Sequence, residues 1–283
     1  MIGRLSYNEI NPEVDKIDFN KVHEECRIDL EQVYTRPPLA ISIGSDDNGF
    51  PIPFATFGNI SLIKGEEKAR KSFLKSLLLA CAIGGKANFY SEDIVGHDLR
   101  DKYILDLDGE QDEYYTWLNG IRVPKMVGIL PDNFETIKLR EKTPKIRNQY
   151  LEWLFKESHY RNKLGVVSID GYVDFVKNFN DQEESSEFTQ QLMSYSSISK
   201  CHITGILHLN PGTTKARGHL GTILQQKCET VVTIKDEGNF SLVECQRGRG
   251  RKFSSFTLRV NDDWLPYVSQ DPITTTFNIK DPF

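Results

Sequence analysis

The segment from Gly65 to Ser72 reads GEEKARKS and holds, within eight residues, the groups that bind a polyphosphate. It follows the apolar stretch ISLI and precedes the mostly apolar run FLKSLLLACA, which predicts a strand, a glycine-led turn and a helix. In a phosphate-binding loop of this layout, backbone N–H groups surround the phosphates, a lysine contacts the outer phosphates and a hydroxyl holds Mg²⁺. Lys71 and Ser72 have the lysine and hydroxyl positions, so the segment predicts nucleotide binding.

Arg70 departs from the consensus G-x-x-x-x-G-K-[ST], because it stands where the second glycine belongs. Glycine at this position lets the backbone approach the phosphates without a Cβ atom in the way. We therefore expect Arg70 to have a negative φ and to direct its side chain away from the ligand or over it. A strand–turn–helix whose charged turn is simply solvated is the alternative interpretation of these eight residues.

Polar side chains follow three further apolar stretches. They are Asp108 and Glu110 in DLDGEQ, Asp170 in VVSIDG, and His208 and Asn210 in GILHLN. The carboxyl ends of parallel strands meet at one edge of a sheet, where nucleotides bind in such folds. Asp170 has the position of a carboxylate that holds Mg²⁺ through water, and His208 and Asn210 have that of a γ-phosphate sensor. An aspartate after an apolar run is, taken alone, more often a helix cap or turn former, but the order of these residues favours one shared site.

Strand-like and helix-like stretches alternate through the middle of the chain, which predicts an α/β fold with a mostly parallel central sheet flanked by helices. The strand-like stretches are 39–44, 60–64, 102–108, 126–130, 165–170, 202–210 and 229–234. Helical spacing of apolar residues occurs over 145–157 and 185–199. Two closely spaced stretches, 240–245 and 255–260, predict antiparallel strands at the C-terminal edge of the sheet.

The first 38 residues are polar and charged, and they predict an N-terminal arm that is partly helical. One amphipathic helix is expected near 14–34, before Arg36-Pro37-Pro38 interrupts the pattern. Residues 39–283 are then expected to form the main domain.

Composition limits the classes of function. The 283 residues are 39% hydrophobic and 27% charged, as in an ordinary soluble globular protein, and the net charge of −5 requires any nucleic-acid contact to be local. The start MIGRLSYNEINPEVDK is too polar for a signal peptide, and LLLACAI is too short to span a bilayer. Five scattered cysteines predict reduced thiols, and six histidines show no metal-site spacing. A cytoplasmic protein without a membrane partner is expected.

The order of these motifs resembles the RecA-like ATPase core over roughly residues 50–260. After the loop come DLDGEQ, VVSIDG, LHLN, ARGHLGT, VVTI and QRGRGRKF, as in the RepA/DnaB-type branch of hexameric helicases and its relatives on plasmids, phages and mobile elements. The stretch ILHLNPGTTKARGHLGTILQQKCETVVTI carries most of the likeness, and the basic residue before the loop lysine resembles a subgroup from Bacteroidetes-type mobile elements. The resemblance implies a P-loop ATPase with ATP and Mg²⁺ as cofactors, a homo-oligomeric ring such as a hexamer, and helicase activity on DNA.

The resemblance also assigns roles around the nucleotide. The loop residues implied to contact it are Gly65, Ala69, Arg70, Lys71, Ser72 and Phe73. Lys71 is implied to bind the β- and γ-phosphates, and Ser72 and Asp170 to hold Mg²⁺. Glu110 matches the glutamate that polarises the attacking water, with an exposed acid at a helix start as the alternative. His208 and Asn210 match the sensor of the γ-phosphate.

Two basic segments are implied to act beyond the site of one subunit. In the helicase branch, basic residues of a neighbouring subunit complete the site, and Arg247, Arg249 and Arg251 in CQRGRGRKF are the candidates, with Arg249 preferred. A basic solvated turn is the alternative for these arginines. Lys215 and Arg217 in PGTTKARGH are implied to contact nucleic acid, with single-stranded DNA as the expected partner. In such a ring, nucleic acid contacts loops that face the central pore. The second of these loops, VKNFNDQEESS, is acidic and therefore unlike a surface that binds single-stranded nucleic acid.

Three functions are compatible with these observations. The first is an oligomeric ATPase motor, or an accessory ATPase, that acts on DNA in the replication or mobilisation of a mobile element. The second is an ATP-dependent regulatory or scaffold protein that hydrolyses slowly or not at all, which Arg70 and the acidic segment favour. The third is a RecA-like fold that has lost its nucleotide and serves as an interaction domain. An arm of 38 residues is too small for a helicase collar domain, which favours a compact motor of the RepA sort or an accessory ATPase.

Overall fold

The computed structural model describes residues 17–209 and 216–269, and the chain divides into two compact units between Arg36 and Pro37. In the first unit, helix α1 spans Phe19–Cys26, and the Asp18 carboxylate caps it by accepting two backbone N–H groups. The helix expected near 14–34 is therefore shorter than predicted within the described residues. It ends because Arg27 is extended, with ψ 127°, and because α1 buries no side chain that would stabilise a longer helix.

A nine-stranded sheet forms the centre of the second unit. In spatial order its strands are β12 (Pro266–Ser269), β11 (Phe256–Val260), β10 (Ser241–Arg247), β9 (Thr230–Asp236), β3 (Ile60–Gly65), β8 (His202–His208), β7 (Leu164–Asp170), β5 (Tyr103–Asp108) and β6 (Phe134–Lys138). The strands from β9 to β6 run parallel, whereas β10, β11 and β12 are antiparallel. This arrangement confirms the predicted mostly parallel sheet with antiparallel edge strands, and it puts the strand that precedes the loop at the centre.

Helices cover both faces of this sheet. They are α2 (Lys71–Ile83), α3 (Glu113–Val127), α4 (Pro144–Lys156), α5 (Gln182–Ser199) and α6 (Gly218–Lys227). The neighbours Leu62 and Ile63 of the central strand belong to opposite apolar clusters, because successive side chains of a strand alternate between faces. One cluster contains α2 and α3, and the other contains α4, α5 and α6. No helix within the described ranges is both long and apolar enough to cross a lipid bilayer.

A separate three-stranded antiparallel sheet packs into the cluster of α2 and α3. Its strands are β1 (Leu39–Ser45), β2 (Pro51–Thr56) and β4 (Ile94–Gly96), with β1 in the middle. The residues of β2 are not among the predicted strand stretches, and they include Pro51 and Pro53. Proline is compatible with β2 because this strand lies at the edge of its sheet, where a missing N–H group costs no ladder hydrogen bond.

The stretch 126–130 is not a strand, contrary to prediction. Met126 and Val127 form the last turn of α3, where both are buried in the core. Gly128 ends the helix in the left-handed conformation, with φ 91°. The strand in this region is instead the edge strand β6, whose sequence FETIK is only partly buried and therefore lacks an apolar run.

Candidate functional site

The loop from Gly65 to Ser72 connects the central strand β3 to α2. A Cβ atom added to Gly65 would lie 2.5 Å from the carbonyl oxygen of Ile234, so the close approach of β9 requires glycine there. Helix α2 begins at Lys71 with no side-chain hydrogen bond at its N-cap and no acidic residue in its first turn. The first N–H groups of α2 are thus left uncapped by side chains, and a helix start of this kind favours an anion.

Arg70 has a backbone conformation that glycine favours. Its φ of 65° and ψ of 29° lie in the left-handed region, so the expectation of a negative φ is wrong. The guanidinium lies on the turn between β9 and β10, where it donates to Asp236 Oδ1 at 2.7 Å, the Gly238 carbonyl at 2.6 Å and Ser241 Oγ at 3.0 Å. A residue with a Cβ atom loses about 1–2 kcal/mol in this conformation, and these contacts offset the loss.

The Lys71 amine lies inside the loop. It donates to the carbonyl oxygen of Gly65 at 3.1 Å and to that of Glu66. Burial lowers the pKa of Lys71, while the carboxylates of Asp170 and Glu110 act in the opposite direction. Among the described residues its hydrogen-bond partners are thus two loop carbonyls, which a phosphate group could replace, and acidic side chains lie near it.

Ser72 and Asp170 are joined by a hydrogen bond at the end of β7. Ser72 Oγ donates to Asp170 Oδ2 at 3.1 Å, and the same oxygen accepts from Lys75 Nζ at 3.1 Å. A hydroxyl and a carboxylate are oxygen ligands of the kind that Mg²⁺ prefers, with water and phosphate oxygens completing its shell. Within the described residues no three His, Cys, Asp or Glu side chains converge on one metal position, so such an ion would depend on ligand oxygens as well.

Lys75, Asp106 and Asp108 form a buried charged cluster beside Asp170. Lys75 Nζ lies 3.0 Å from Asp106 Oδ1. Burial alone lowers the pKa of Lys75, but the carboxylates of Asp106 and Asp170 outweigh it and raise that pKa well above its ordinary value. Burial raises the pKa of Asp108 to about 6. Sequence reasoning missed Lys75 and Asp106, although a lysine four residues after Lys71 in an otherwise apolar helix signals a buried cation that needs carboxylate partners.

Glu110 and His208 lie next to each other, at the ends of β5 and β8. Glu110 Oε2 is 3.7 Å from His208 Nε2, and the Glu110 side chain is 46% exposed. In the parallel register His208 is paired with Gly65 at the start of the loop. The structure thus brings the predicted glutamate and histidine to the edge of the sheet that carries the loop. Asn210, the other predicted sensor residue, lies outside the described residues.

These groups line one cleft of about 790 Å³ at the carboxyl ends of the parallel strands. This volume is within the usual range of small-molecule sites. Its lining includes Glu67, Lys68, Arg70, Lys71, Ser72, Phe73, Glu110, Gln111, Tyr115, Asn119, Arg122, Asp170, Val173, Asp174, Ile206, His208 and Arg217. Gly65 and Ala69 are not among these residues, and the Ala69 side chain is fully buried. The contribution of α3 through Tyr115, Asn119 and Arg122 was not foreseen from the sequence.

Arg217, predicted to contact nucleic acid, lies on the wall of this same cleft. Its guanidinium is 4.7 Å from the centre of the Phe179 ring, and its backbone N–H donates to the His208 carbonyl. The side chain is exposed. Lys215, the second predicted contact, lies outside the described residues.

The acidic segment VKNFNDQEESS has a local structural role. Asp181 caps α5 by accepting the N–H of Glu184, and the Glu184 carboxylate accepts the N–H groups of Lys177 and Asn178. Acidic residues at a helix N-terminus are stabilised by the helix dipole. The acidity of this segment is therefore explained by the start of α5.

The structure places Arg247, Arg249 and Arg251 at or beyond the strand ends that are opposite to the loop. Because β10 runs antiparallel to β9, Arg247 is paired with Val231 near the start of β9, whereas the loop is level with the other end of that strand. Each arginine has partners within the chain: Arg247 donates to the carbonyls of Gln225 and Gln226, Arg249 to Asn59, and Arg251 to Asp47. The structure does not bring them to the cleft of their own subunit, and their action across an interface stays a prediction.

Comparison of the sequence with protein-family models gives no match, and comparison with curated proteins gives none. Among solved structures, 673 chains are similar. One is the crystal structure of the RadB recombinase, with a TM-score of 0.52 and 14% sequence identity, covering 75% of this chain and 91% of that chain. Likeness at this identity shows the fold, and one fold hosts many functions. The chain has a RecA-like α/β fold, as predicted, while its resemblance to the RepA/DnaB-type helicase branch stays a prediction.

Proposed function

We propose that this protein binds and hydrolyses ATP with Mg²⁺, as an oligomeric motor or accessory ATPase that acts on DNA in the replication or mobilisation of a mobile element. The observation that supports this best is the convergence of Lys71, Ser72, Asp170, Glu110 and His208 in one cleft at the carboxyl ends of parallel strands. Phosphoryl transfer needs such a set, because it depends on positioning and charge neutralisation without a covalent enzyme intermediate.

The arrangement indicates what each side chain would do. The Lys71 amine would exchange the loop carbonyls for the β- and γ-phosphate oxygens, and the uncapped start of α2 would hold the phosphate tail. Ser72 Oγ and Asp170 would hold Mg²⁺, which supplies charge neutralisation between the phosphates. Glu110, exposed and beside His208, would orient and polarise the attacking water.

Action on DNA is the less directly supported part of the proposal. The likeness to a recombinase and the exposed Arg217 at the cleft wall support it. Because the net charge is −5, binding would depend on local basic residues such as Arg217 and Lys215. Completion of the site by Arg247, Arg249 or Arg251 would require a neighbouring subunit, consistent with a ring or other homo-oligomer.

The test is the rate of ATP hydrolysis with and without single-stranded DNA. The wild-type protein should hydrolyse ATP, and faster with DNA. Glu110→Gln should bind ATP but lower turnover by roughly 100-fold or more, because general-base catalysis contributes about 10²–10⁴-fold. Glu113→Gln is the control, since Glu113 is an acid three residues further along, at the start of α3, and does not line this cleft. Equal rates for Glu110→Gln and wild type would contradict the role of Glu110.

A regulatory or scaffold protein that hydrolyses slowly is the second candidate. It is favoured by the positions of Arg247, Arg249 and Arg251, which are engaged within their own chain away from the cleft. A protein of this class binds ATP–Mg²⁺ but shows no DNA-stimulated turnover. Sizing with and without ATP–Mg²⁺ distinguishes a nucleotide-dependent ring from a monomeric switch.

A further inference from the structure

Helix α3 places in the wall of the cleft a buried arginine, Arg122, that pairs with no carboxylate of the residues described by the structure. Arg122 is only 6% exposed, and its guanidinium lies 3.8 Å from the centre of the Phe73 ring. Nη1 donates to Asn119 Oδ1 at 2.6 Å, whereas Nε is buried without a hydrogen-bond partner. Burial lowers the pKa of Arg122 to about 10, and no carboxylate acts against this. A buried cation is costly unless it is paired, so this one is suited to an anion from outside the chain.

Arg147 shows how the same chain buries an arginine that has only a structural role. It is 7% exposed, but its donors are satisfied by the carbonyls of Leu139, Arg140 and Asp174 and by the Asp174 carboxylate 3.7 Å away. Within the described residues Arg122 has neither an ion pair nor a hydrogen bond other than that to Asn119. The difference between these two buried arginines is the presence of protein partners.

Nη2 is the part of the Arg122 guanidinium that a ligand can reach, because Nε is buried. Nη1 is engaged with Asn119 and one face of the guanidinium is covered by Phe73. No side chain or backbone group of the described residues accepts from Nε or Nη2. An N–H group of a guanidinium makes a charge-assisted hydrogen bond with an oxygen of a phosphate or carboxylate.

The position of Arg122 along α3 selects which phosphate it would meet. Glu110 precedes the start of α3 at Glu113, and His208 lies beside Glu110. Arg122 is nine residues after Glu113 in that helix, or about 14 Å along its axis. Arg122 instead contacts Phe73, which follows Ser72 in the first turn of α2. A nucleotide with its terminal phosphate at Glu110 would place its ribose end toward Arg122.

We propose that Arg122 binds the ribose-linked phosphate of a nucleoside di- or triphosphate through Nη2. This inference rests on the proposed function, because it takes a nucleotide as the ligand of the cleft. It adds a phosphate contact from α3, outside the loop and the strand ends. The contact is the same for ADP and ATP, since both contain that phosphate.

Arg122→Met is the direct test, because methionine fills similar space on Phe73 without a charge. Calorimetric titration should show ADP and a non-hydrolysable ATP analogue each binding roughly 10- to 100-fold more weakly, as expected for a lost charged hydrogen bond. The melting temperature without nucleotide should be unchanged or higher, since an unpaired buried charge is removed. Arg147→Met is the matched control, and it should melt at a lower temperature because it leaves its carbonyl and carboxylate partners unsatisfied.

Each other outcome overturns the inference. If wild type binds both nucleotides and Arg122→Met binds them equally well, Arg122 is not a ligand and only this inference fails. If the wild-type protein binds neither nucleotide, both the proposed function and the inference on Arg122 fail. A loss confined to the ATP analogue places Arg122 at the terminal phosphate, which contradicts the assignment. Should Arg122→Met not fold, Arg122→Gln, which also removes the charge, replaces it in the same titration, and unchanged affinity for both nucleotides is again the contradicting result.

Discussion

The left-handed conformation of Arg70 predicts an unusual order of stability between two substitutions at this position. At an ordinary position alanine is more stable than glycine by about 0.5–1 kcal/mol. With φ at 65°, a Cβ atom is unfavourable by about 1–2 kcal/mol, so the order inverts. Arg70→Gly should therefore be more stable than Arg70→Ala by about 1 kcal/mol.

Both variants should also be less stable than wild type, because they lose the contacts with the β9–β10 turn. The ion pair with Asp236 is 24% and 42% exposed and is worth only about 0.2–1 kcal/mol after solvent screening. Hydrogen bonds to Gly238 and Ser241 add about 0.5–1.5 kcal/mol each. Relief of the backbone strain returns about 1 kcal/mol, so Arg70→Gly should lose about 1–2 kcal/mol relative to wild type.

Denaturant unfolding followed by tryptophan fluorescence gives both differences from the shifts in midpoint. Lys68→Gly is the matched control: Lys68 also has a positive φ, 63°, but donates to no residue of the turn. It should be as stable as wild type or more so, since it relieves strain without losing contacts. An Arg70→Ala variant that equals or exceeds Arg70→Gly would refute the left-handed conformation. An Arg70→Gly variant as stable as wild type would refute the stabilising role of the turn contacts.

Two buried groups near the sheet give pH-dependent predictions of opposite sign. Burial raises the pKa of Asp108 to about 6, so the free energy of unfolding of the wild-type protein falls by about 3 kcal/mol as pH rises from 4 to 6. Asp108→Asn should therefore be more stable than wild type at pH 8, and this advantage should be absent below pH 4. Burial lowers the pKa of His202 to about 4, so the free energy of unfolding of the wild-type protein falls by about 3 kcal/mol as pH drops from 6.5 to 4. His202→Gln should not show this loss of stability in acid. Melting temperatures between pH 4 and 8 test both, and a variant profile parallel to that of wild type would contradict the corresponding assignment.

The sequence was most informative where a strand is buried on both faces. The run GVVSID predicted β7 to within one residue, because a parallel strand covered by helices is apolar throughout. The edge strands β6 and β2 were missed for the converse reason. In β6 the residues are only partly buried, and β2 carries prolines that only an edge position allows.

Site residues at strand ends were predictable because parallel strands bring their carboxyl ends together. Lys71, Ser72, Asp170 and Glu110 could be named from that rule and the loop pattern. Arg122 could not, because its significance depends on the packing of α3 against α2 and on the absence of a carboxylate nearby. No motif or local spacing encodes those conditions.

The conformation of Arg70 illustrates the same limit. Local sterics predict a negative φ for any residue with a Cβ atom. The structure shows a positive φ, because Asp236 and Ser241, more than 160 residues away in sequence, hold the guanidinium. Tertiary contacts of this kind override local preference, and a single sequence does not show them.

Calorimetric titration tests the central claim most directly. A non-hydrolysable ATP analogue with Mg²⁺ is titrated into the wild-type protein and into Lys71→Ala. The claim is that the loop from Gly65 to Ser72 binds a nucleotide while Arg70 stays on the β9–β10 turn. Wild type should bind one nucleotide per subunit and gain about 2.7 kcal/mol of stability at 100 times Kd, whereas Lys71→Ala should bind much more weakly. Absence of binding and of thermal stabilisation in the wild-type protein would contradict the account.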